Sequence, residues 1–188
     1  AASAHKFHGP KGIGFVFIRK NSGLKPLIYG GMQERGVRAG TESIHDIVGL
    51  DASLALSYQN LEIEMTQVKA LKTYFVEKLK TTIDGVKFNG CCSDNNKSTY
   101  TLVNVCLPVS EVNAPMFLFQ LDLKGIACSK GSACQSGSDK GSHVLSQILS
   151  EADLKKPSIR FSFSIYNTKE EIDTVVETLK TLINPAIS

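Results

Sequence analysis

No run of apolar residues in this 188-residue chain approaches the roughly 18–20 that a helix needs to cross a bilayer, so no membrane partner is expected. Ala1 to Lys11 lack the apolar stretch of a secretory signal. There is no excess of one charge either: 21 basic and 18 acidic residues are interspersed, which leaves no electrostatic footprint for a nucleic acid. The five cysteines, Cys91, Cys92, Cys106, Cys128 and Cys134, are odd in number and contain no CxxC pair. That pattern argues against both a disulfide framework and a zinc site, and no metal is expected. Free thiols fit a reducing compartment, so the expectation is a soluble, non-secreted, cytoplasmic protein. With 42% hydrophobic residues the chain has an ordinary globular composition.

Gly12 to Arg19 is short, aromatic and β-branched after Gly9-Pro10, which predicts a buried strand. Asn21 to Gly40 is rich in glycine and charge, with Pro26, and its length and polarity predict a working loop. Thr41 and Glu42 open a helix that uses Ile44, Ile47, Val48, Leu50 and Leu54 and ends near Tyr58. A second helix has the apolar series Leu61, Met65, Val68, Phe75, Leu79 and Ile83, with Lys69, Lys72, Glu77 and Lys80 on other faces, and Gly85 stops it. Val86–Phe88, Tyr100–Leu107, Ile126–Cys128 and Ile159–Ser164 read as strands, Asn113–Leu123 as a helix, and another helix resumes near His143. The stretch 129–142 holds Gly131, Gly137 and Gly141 among five serines and reads as a mobile loop. Thr168 and Glu171 form a capping box ahead of Ile172, Val175, Val176, Leu179 and Ile183. Alternating helices and strands predict an α/β chain. The division expected is a remnant of a larger domain over 1–60 and a small α/β domain over 61–188.

Ser3-Ala-His-Lys-Phe-His-Gly-Pro-Lys-Gly12 places a hydroxyl, an imidazole and a lysine within four residues. A nucleophilic lysine must be neutral, so its pKa must fall from about 10.4 through burial or a neighbouring cation, while Ser and His donate well to a phosphate. Spacing alone also allows an ordinary solvated loop. By base rate, Cys134 is a small buried residue and Arg160 an ion-pair partner, and His45 and His143 read as packing or surface residues.

Four strings together carry more. SAHKFHGPKGIG resembles the Schiff-base lysine signature of class V aminotransferases, and GGMQERGVRAGTE the glycine-rich loop that follows it in cysteine desulfurases. GSACQSGSDKGSHVL and SIRFSFSIYNTKEEID resemble the catalytic-cysteine loop and the carboxylate-binding arginine strand of the same family. The resemblance implies the end of a pyridoxal-phosphate (PLP) fold type I large domain followed by the small domain, hence the C-terminal part of a homodimeric enzyme. It makes Lys6 the lysine that binds PLP and moves protons at the substrate Cα. Ser3 and His5 become holders of the cofactor phosphate, and Thr41 a residue reaching the phosphate bound by the other subunit. Arg160 becomes the clamp on the carboxylate of L-cysteine. Cys134 becomes the thiol that takes sulfur as a persulfide, leaving alanine, for delivery to a sulfur-acceptor scaffold protein in iron–sulfur cluster assembly. A thiol with pKa near 8.5 is a few per cent thiolate at neutral pH, a fraction that Lys130 and Lys140 raise if they lie close.

Ala4, Met32, Lys130 and Gln135 depart from the pattern, where glycine, glycine, a small residue and threonine are common. The resemblance also implies a histidine over the cofactor ring and an aspartate beneath it, supplied upstream of the lysine and not in this sequence. An incomplete active site is therefore expected. The competing readings are a non-catalytic module that docks or dimerises, and another class V enzyme such as a selenocysteine lyase or an aminotransferase. An aminotransferase has no need of a cysteine on a mobile loop.

Overall fold

Nothing between Tyr58 and Leu61 breaks a helix: Ser57-Tyr-Gln-Asn60 contains neither glycine nor proline, so no backbone hydrogen bond is lost there. In the computed structural model, which describes residues 1–130 and 142–184, the two expected helices are accordingly one, α1 (Ile44–Thr82), 39 residues long. Beyond it Gly85 adopts φ 77°, the left-handed turn that ends the segment. The chain divides into two compact units, Ala1–Glu62 and Ile63–Ser188.

In the first unit, β1 (Ala2–Ser3) pairs antiparallel with β2 (Gly14–Phe15). The expected buried strand over Gly12–Arg19 shrinks to these two residues, and Val16 and Phe17 stand 59% and 78% exposed. A strand is held by its neighbours, and among the described residues only Ala2 and Ser3 offer it a ladder. The 21–40 segment is a loop, as expected, folded on itself: Ala39 N–H donates to the Ile28 carbonyl and Gly40 N–H to Gln33 Oε1. Glu34 and Arg35 both sit in left-handed backbone, at φ 48° and 57°, a conformation disfavoured in residues with a Cβ.

The second unit is built on a four-stranded antiparallel sheet in the order β3-β4-β6-β5, from β3 (Lys87–Phe88), β4 (Leu102–Cys106), β5 (Ser129–Lys130) and β6 (Ser158–Ser162). Val103, Val105, Ile159 and Phe161 alternate onto one face and form the core with Phe75, Leu79, Phe117, Leu121, Val176 and Leu179. Those partners come from α1, α2 (Phe117–Leu123) and α5 (Lys169–Ile183), while α3 (Leu145–Ile148) and α4 (Glu151–Leu154) link β5 to β6. The strand expected at Ile126–Cys128 stands instead at Ser129–Lys130, because Ile126 N–H folds back to the Leu121 carbonyl after left-handed Gly125. The capping box at Thr168 and Glu171 is present on both sides. Among the described residues no helix is long and apolar enough to cross a membrane.

Lys72 corrects the reading of α1. Its charge predicts a place away from the apolar face, yet it is fully buried, since it lies four residues after Val68 and three before Phe75 on the same stripe. Its ammonium donates to Ser98 Oγ at 2.8 Å and to the Thr99 carbonyl at 2.7 Å, and burial lowers its pKa.

Asp153 ties α4 to the sheet. Its carboxylate takes Lys87 at 2.7 Å and Lys156 at 3.1 Å and accepts from the Ser150 hydroxyl at 3.0 Å. Lys87 first, then Lys156 and Ser150, hold its pKa well below the ordinary carboxylate range. A folded pKa below the unfolded value of about 3.9 gives stability that is present above about pH 4 and lost as pH falls toward the folded value. Asp153→Asn should therefore lower the urea midpoint at neutral pH and flatten its decline below about pH 4. Parallel midpoint-versus-pH curves for the two proteins would overturn this.

Candidate functional site

Ser3 ends β1 and precedes a single 3-10 turn, Ala4–Phe7, which carries His5 and Lys6. The turn closes through left-handed His8 (φ 68°) and a bond from Gly9 N–H to the Ala4 carbonyl at 2.9 Å. Ala4 is fully buried, and two glycines seat the turn on α1. A Cβ at Gly9 would stand 2.6 Å from Ser53 Oγ and 2.8 Å from Ala4 Cβ, and one at Gly49 would stand 2.6 Å from Pro10 Cγ. The side chains of Ser3, His5 and Lys6 are left exposed, and none is engaged by a described residue. An amine, a hydroxyl and an imidazole on one anchored turn form a donor set suited to an aldehyde bearing a phosphate.

Thr41 is exposed and lies on a different segment of the same unit, after Gly40 (φ 108°) and ahead of Ser43, whose hydroxyl donates to Asp46 Oδ2 at 2.7 Å. The structure thus brings Ser3, His5 and Lys6 onto one turn, sets Thr41 apart from them in sequence, and holds Arg160 in the second unit. Cys134 and residues 131–141 around it lie outside the described residues. Of the loop expected over 129–142, Ser129 and Lys130 form the edge strand β5.

Arg160 is the central residue of β6, registered opposite Asn104 in β4 and Ser129 in β5. Residues directly opposite share a face, so all three lie on the face away from the core that holds Ile159 and Phe161. The Arg160 Nε atom is buried and has no hydrogen-bond partner among the described residues. Beside it Asn89, buried at the end of β3, donates from Nδ2 to Asn104 Oδ1 at 2.7 Å and to Ser158 Oγ at 2.9 Å. A buried N–H on a guanidinium costs free energy until an acceptor reaches it, and the fitting acceptor is an anion. The resemblance pointed to Arg160, and the sequence analysis did not single out its neighbours on the sheet, Asn89, Asn104 and Ser158. The available signal was the polar alternation in Leu102-Val-Asn-Val and Ser158-Ile-Arg-Phe once the two strands are paired.

Of the described thiols, Cys91 is exposed and the other three are buried or half-buried. Burial raises the pKa of Cys92 and of Cys106, and burial followed by Asp122 pushes Cys128 up to about 11, away from the thiolate form. His45 and His143 are exposed. Arg160 lines neither of two clefts in the second unit. One, of about 440 Å³, is lined by Lys69, Tyr74 and Lys169, and the other, of about 370 Å³, by Phe75, Phe161 and Val175. Neither holds an expected site residue.

The family model described as aminotransferase class-V matches residues 1–175. The chain is 38% identical over 181 residues to "Cysteine desulfurase IscS" of Dictyoglomus turgidum, covering 96% of this chain and 45% of that protein. It is 39% identical over 184 residues to a "Cysteine desulfurase" of Klebsiella pneumoniae, covering 98% of this chain and 45% of the relative. Among solved structures, a NifS-like protein superimposes with a TM-score of 0.76 at 29% identity, over 96% of this chain and 44% of its own. The structure titled "SspA in complex with cysteine" gives 0.57 at 32% identity, over 88% and 44%. The chain spans less than half the length of each of these proteins, and its α/β fold is that of the NifS-like proteins of PLP fold type I.

Proposed function

Because the chain belongs to the aminotransferase class-V family, we propose that it is part of a PLP-dependent cysteine desulfurase, which converts L-cysteine to L-alanine and carries the sulfur away as an enzyme persulfide. The observation that carries this reading is the identity of 38–39% with proteins named cysteine desulfurase, running over 96–98% of the chain.

PLP, when bound, supplies the electron sink that lets a proton leave the substrate Cα. The donor set on the first turn fits it: Lys6 would hold it covalently, and Ser3 and His5 would donate to its phosphate. Once released from the cofactor, Lys6 would carry the proton between Cα and the product. Arg160 would hold the cysteine carboxylate through charge-assisted hydrogen bonds, for which the orphaned Nε is one ready donor. The thiolate of Cys134 would attack the substrate sulfur, so that a sulfur–sulfur bond forms as the Cβ–S bond breaks. Its electron pair stays with carbon and is protonated to give the alanine methyl.

A homodimer, with Thr41 reaching the phosphate in the partner subunit, is supported by the apolar side chains the first unit exposes, among them Leu27, Tyr29 and Met32 at 93%, 80% and 80%. Delivery of the sulfur to an acceptor scaffold protein in the cytoplasm completes the reading, supported by the free cysteines.

The test is to incubate the 188-residue chain with PLP, reduce with borohydride and map the adduct. The expected result is one stoichiometric label on Lys6 that Lys6→Ala abolishes. Labels scattered over surface lysines, unchanged in Lys6→Ala, would overturn the assignment of Lys6.

A further inference from the structure

Arg160 does not stand alone on its face of the sheet. Asn104 lies directly across from it on β4, at a spacing where opposed side chains have Cβ atoms about 4.5–5.5 Å apart. The carboxamide of Asn104 is oriented from behind: its Oδ1 accepts from Asn89 Nδ2 at 2.7 Å. Asn89 is buried to 6% exposure and held by its donors, with its backbone N–H on the Asn104 carbonyl at 3.0 Å and its amide also on Ser158 Oγ at 2.9 Å, while its own Oδ1 has no partner among the described residues. With the oxygen of Asn104 committed to Asn89, its Nδ2 is the end left over. No described residue accepts from that Nδ2, and none accepts from the buried Nε of Arg160. Two adjacent donors on one face, one cationic and one neutral, both without an acceptor, suit a planar carboxylate with two oxygens.

Building on the reading of Arg160 as a carboxylate clamp, we propose that Asn104 is a second carboxylate-binding residue, donating from Nδ2 to the substrate carboxylate beside Arg160, and that Asn89 is the positioning residue that turns its amide that way. The site selects α-amino carboxylates over the corresponding amines by this pair. An amine lacking the carboxylate would leave the buried Nε of Arg160 unpaired, which is the costly case for a buried donor.

The experiment uses the ¹⁵N-labelled 188-residue chain without cofactor and follows the side-chain signals of Arg160 Nε–H and Asn104 NH₂ by NMR while L-alanine, and separately ethylamine, is added. L-alanine is expected to shift both signals and ethylamine neither. Asn104→Leu is expected to weaken the L-alanine response at Arg160 about tenfold, the weight of one hydrogen bond to a charged group. Asn104→Ser, which keeps a shorter donor, should lose less. Asn89→Ala should leave Asn104 in place and weaken binding by a smaller factor through loss of orientation. Dispersed backbone amides matching the parent spectrum show that each variant is folded. An unchanged L-alanine affinity in folded Asn104→Leu, with Arg160 still responding, would overturn the role of Asn104 and leave the clamp intact. Absence of any Arg160 response in the parent chain would overturn the clamp itself and this inference with it.

Discussion

Phe75→Ala is expected to lower the stability of the second unit by about 3–5 kcal/mol, the usual cost of deleting a buried aromatic ring. Phe75 is 1% exposed, and its ring meets Phe161 at 5.0 Å between centroids in a tilted pair and Phe163 at 5.5 Å in an edge-on one. Such pairs add to what burial alone gives. The effect should be at the upper end because the site is shared. Phe161 belongs to β6, so the cavity opens under the strand that carries Arg160, and α1 and α5 both border it. Relaxation into the space would have to move three elements at once. Urea unfolding followed by near-ultraviolet circular dichroism provides the measurement. Phe75→Leu should cost clearly less, since it keeps most of the volume and loses only the ring contacts. A loss under about 1 kcal/mol in Phe75→Ala would show that this core is not close-packed around the ring.

The same helix shows what a sequence discloses and what it hides. Val68, Phe75, Leu79 and Ile83 were legible as a core stripe because helical spacing is a local property, and they are buried. Leu61 and Met65, read by the same rule, stand 43% and 40% exposed, because periodicity gives the direction of a side chain and not what lies opposite it. Lys72 departs from its expected place for the reverse reason: charge argues for solvent, but its position on the stripe prevails once Ser98 Oγ and the Thr99 carbonyl, 26 and 27 residues on, accept its hydrogen bonds. The capping box at Thr168 was readable to the residue, as its whole signal lies within four positions. The strand at Gly12–Arg19 was not, since strand formation depends on a partner the local sequence does not contain. Lys6, Ser3, His5, Thr41, Arg160 and Cys134 came from resemblance, not from spacing. The polar trio beside Arg160 was hidden because Asn89, Asn104 and Ser158 meet only through strand pairing across 15 and 69 residues.

Gly9→Ala should detach the lysine turn from its helix, with a loss of about 1–3 kcal/mol from overpacking. The added methyl would meet Ser53 Oγ at 2.6 Å, Ala4 Cβ at 2.8 Å and the Ala4 carbonyl oxygen at 3.1 Å. Ser53 can yield, since its hydroxyl swings about one bond, at the expense of its hydrogen bond to the Leu50 carbonyl. Ala4 cannot, being buried and pinned by its own N–H to the Ile13 carbonyl at 3.0 Å. The chain must therefore move, and the residues carried on it are His5 and Lys6. Specific borohydride trapping on Lys6 is expected to fall several-fold in Gly9→Ala while the second unit unfolds at its original urea concentration. A compensating change follows from the same geometry: Ala4→Gly removes the nearest immovable atom, so the double variant should recover most of the trapping. Gly49→Ala is a second entry to the same contact. In an ordinary helix interior that change stabilises by about 1 kcal/mol, but here the methyl falls 2.6 Å from the Pro10 ring. Its net effect should therefore be a loss, reversed when Pro10 is also replaced by alanine. Unaltered Lys6 trapping in both glycine variants would show that the turn does not depend on its seat on α1, and the link drawn from glycine to helix to lysine would be wrong.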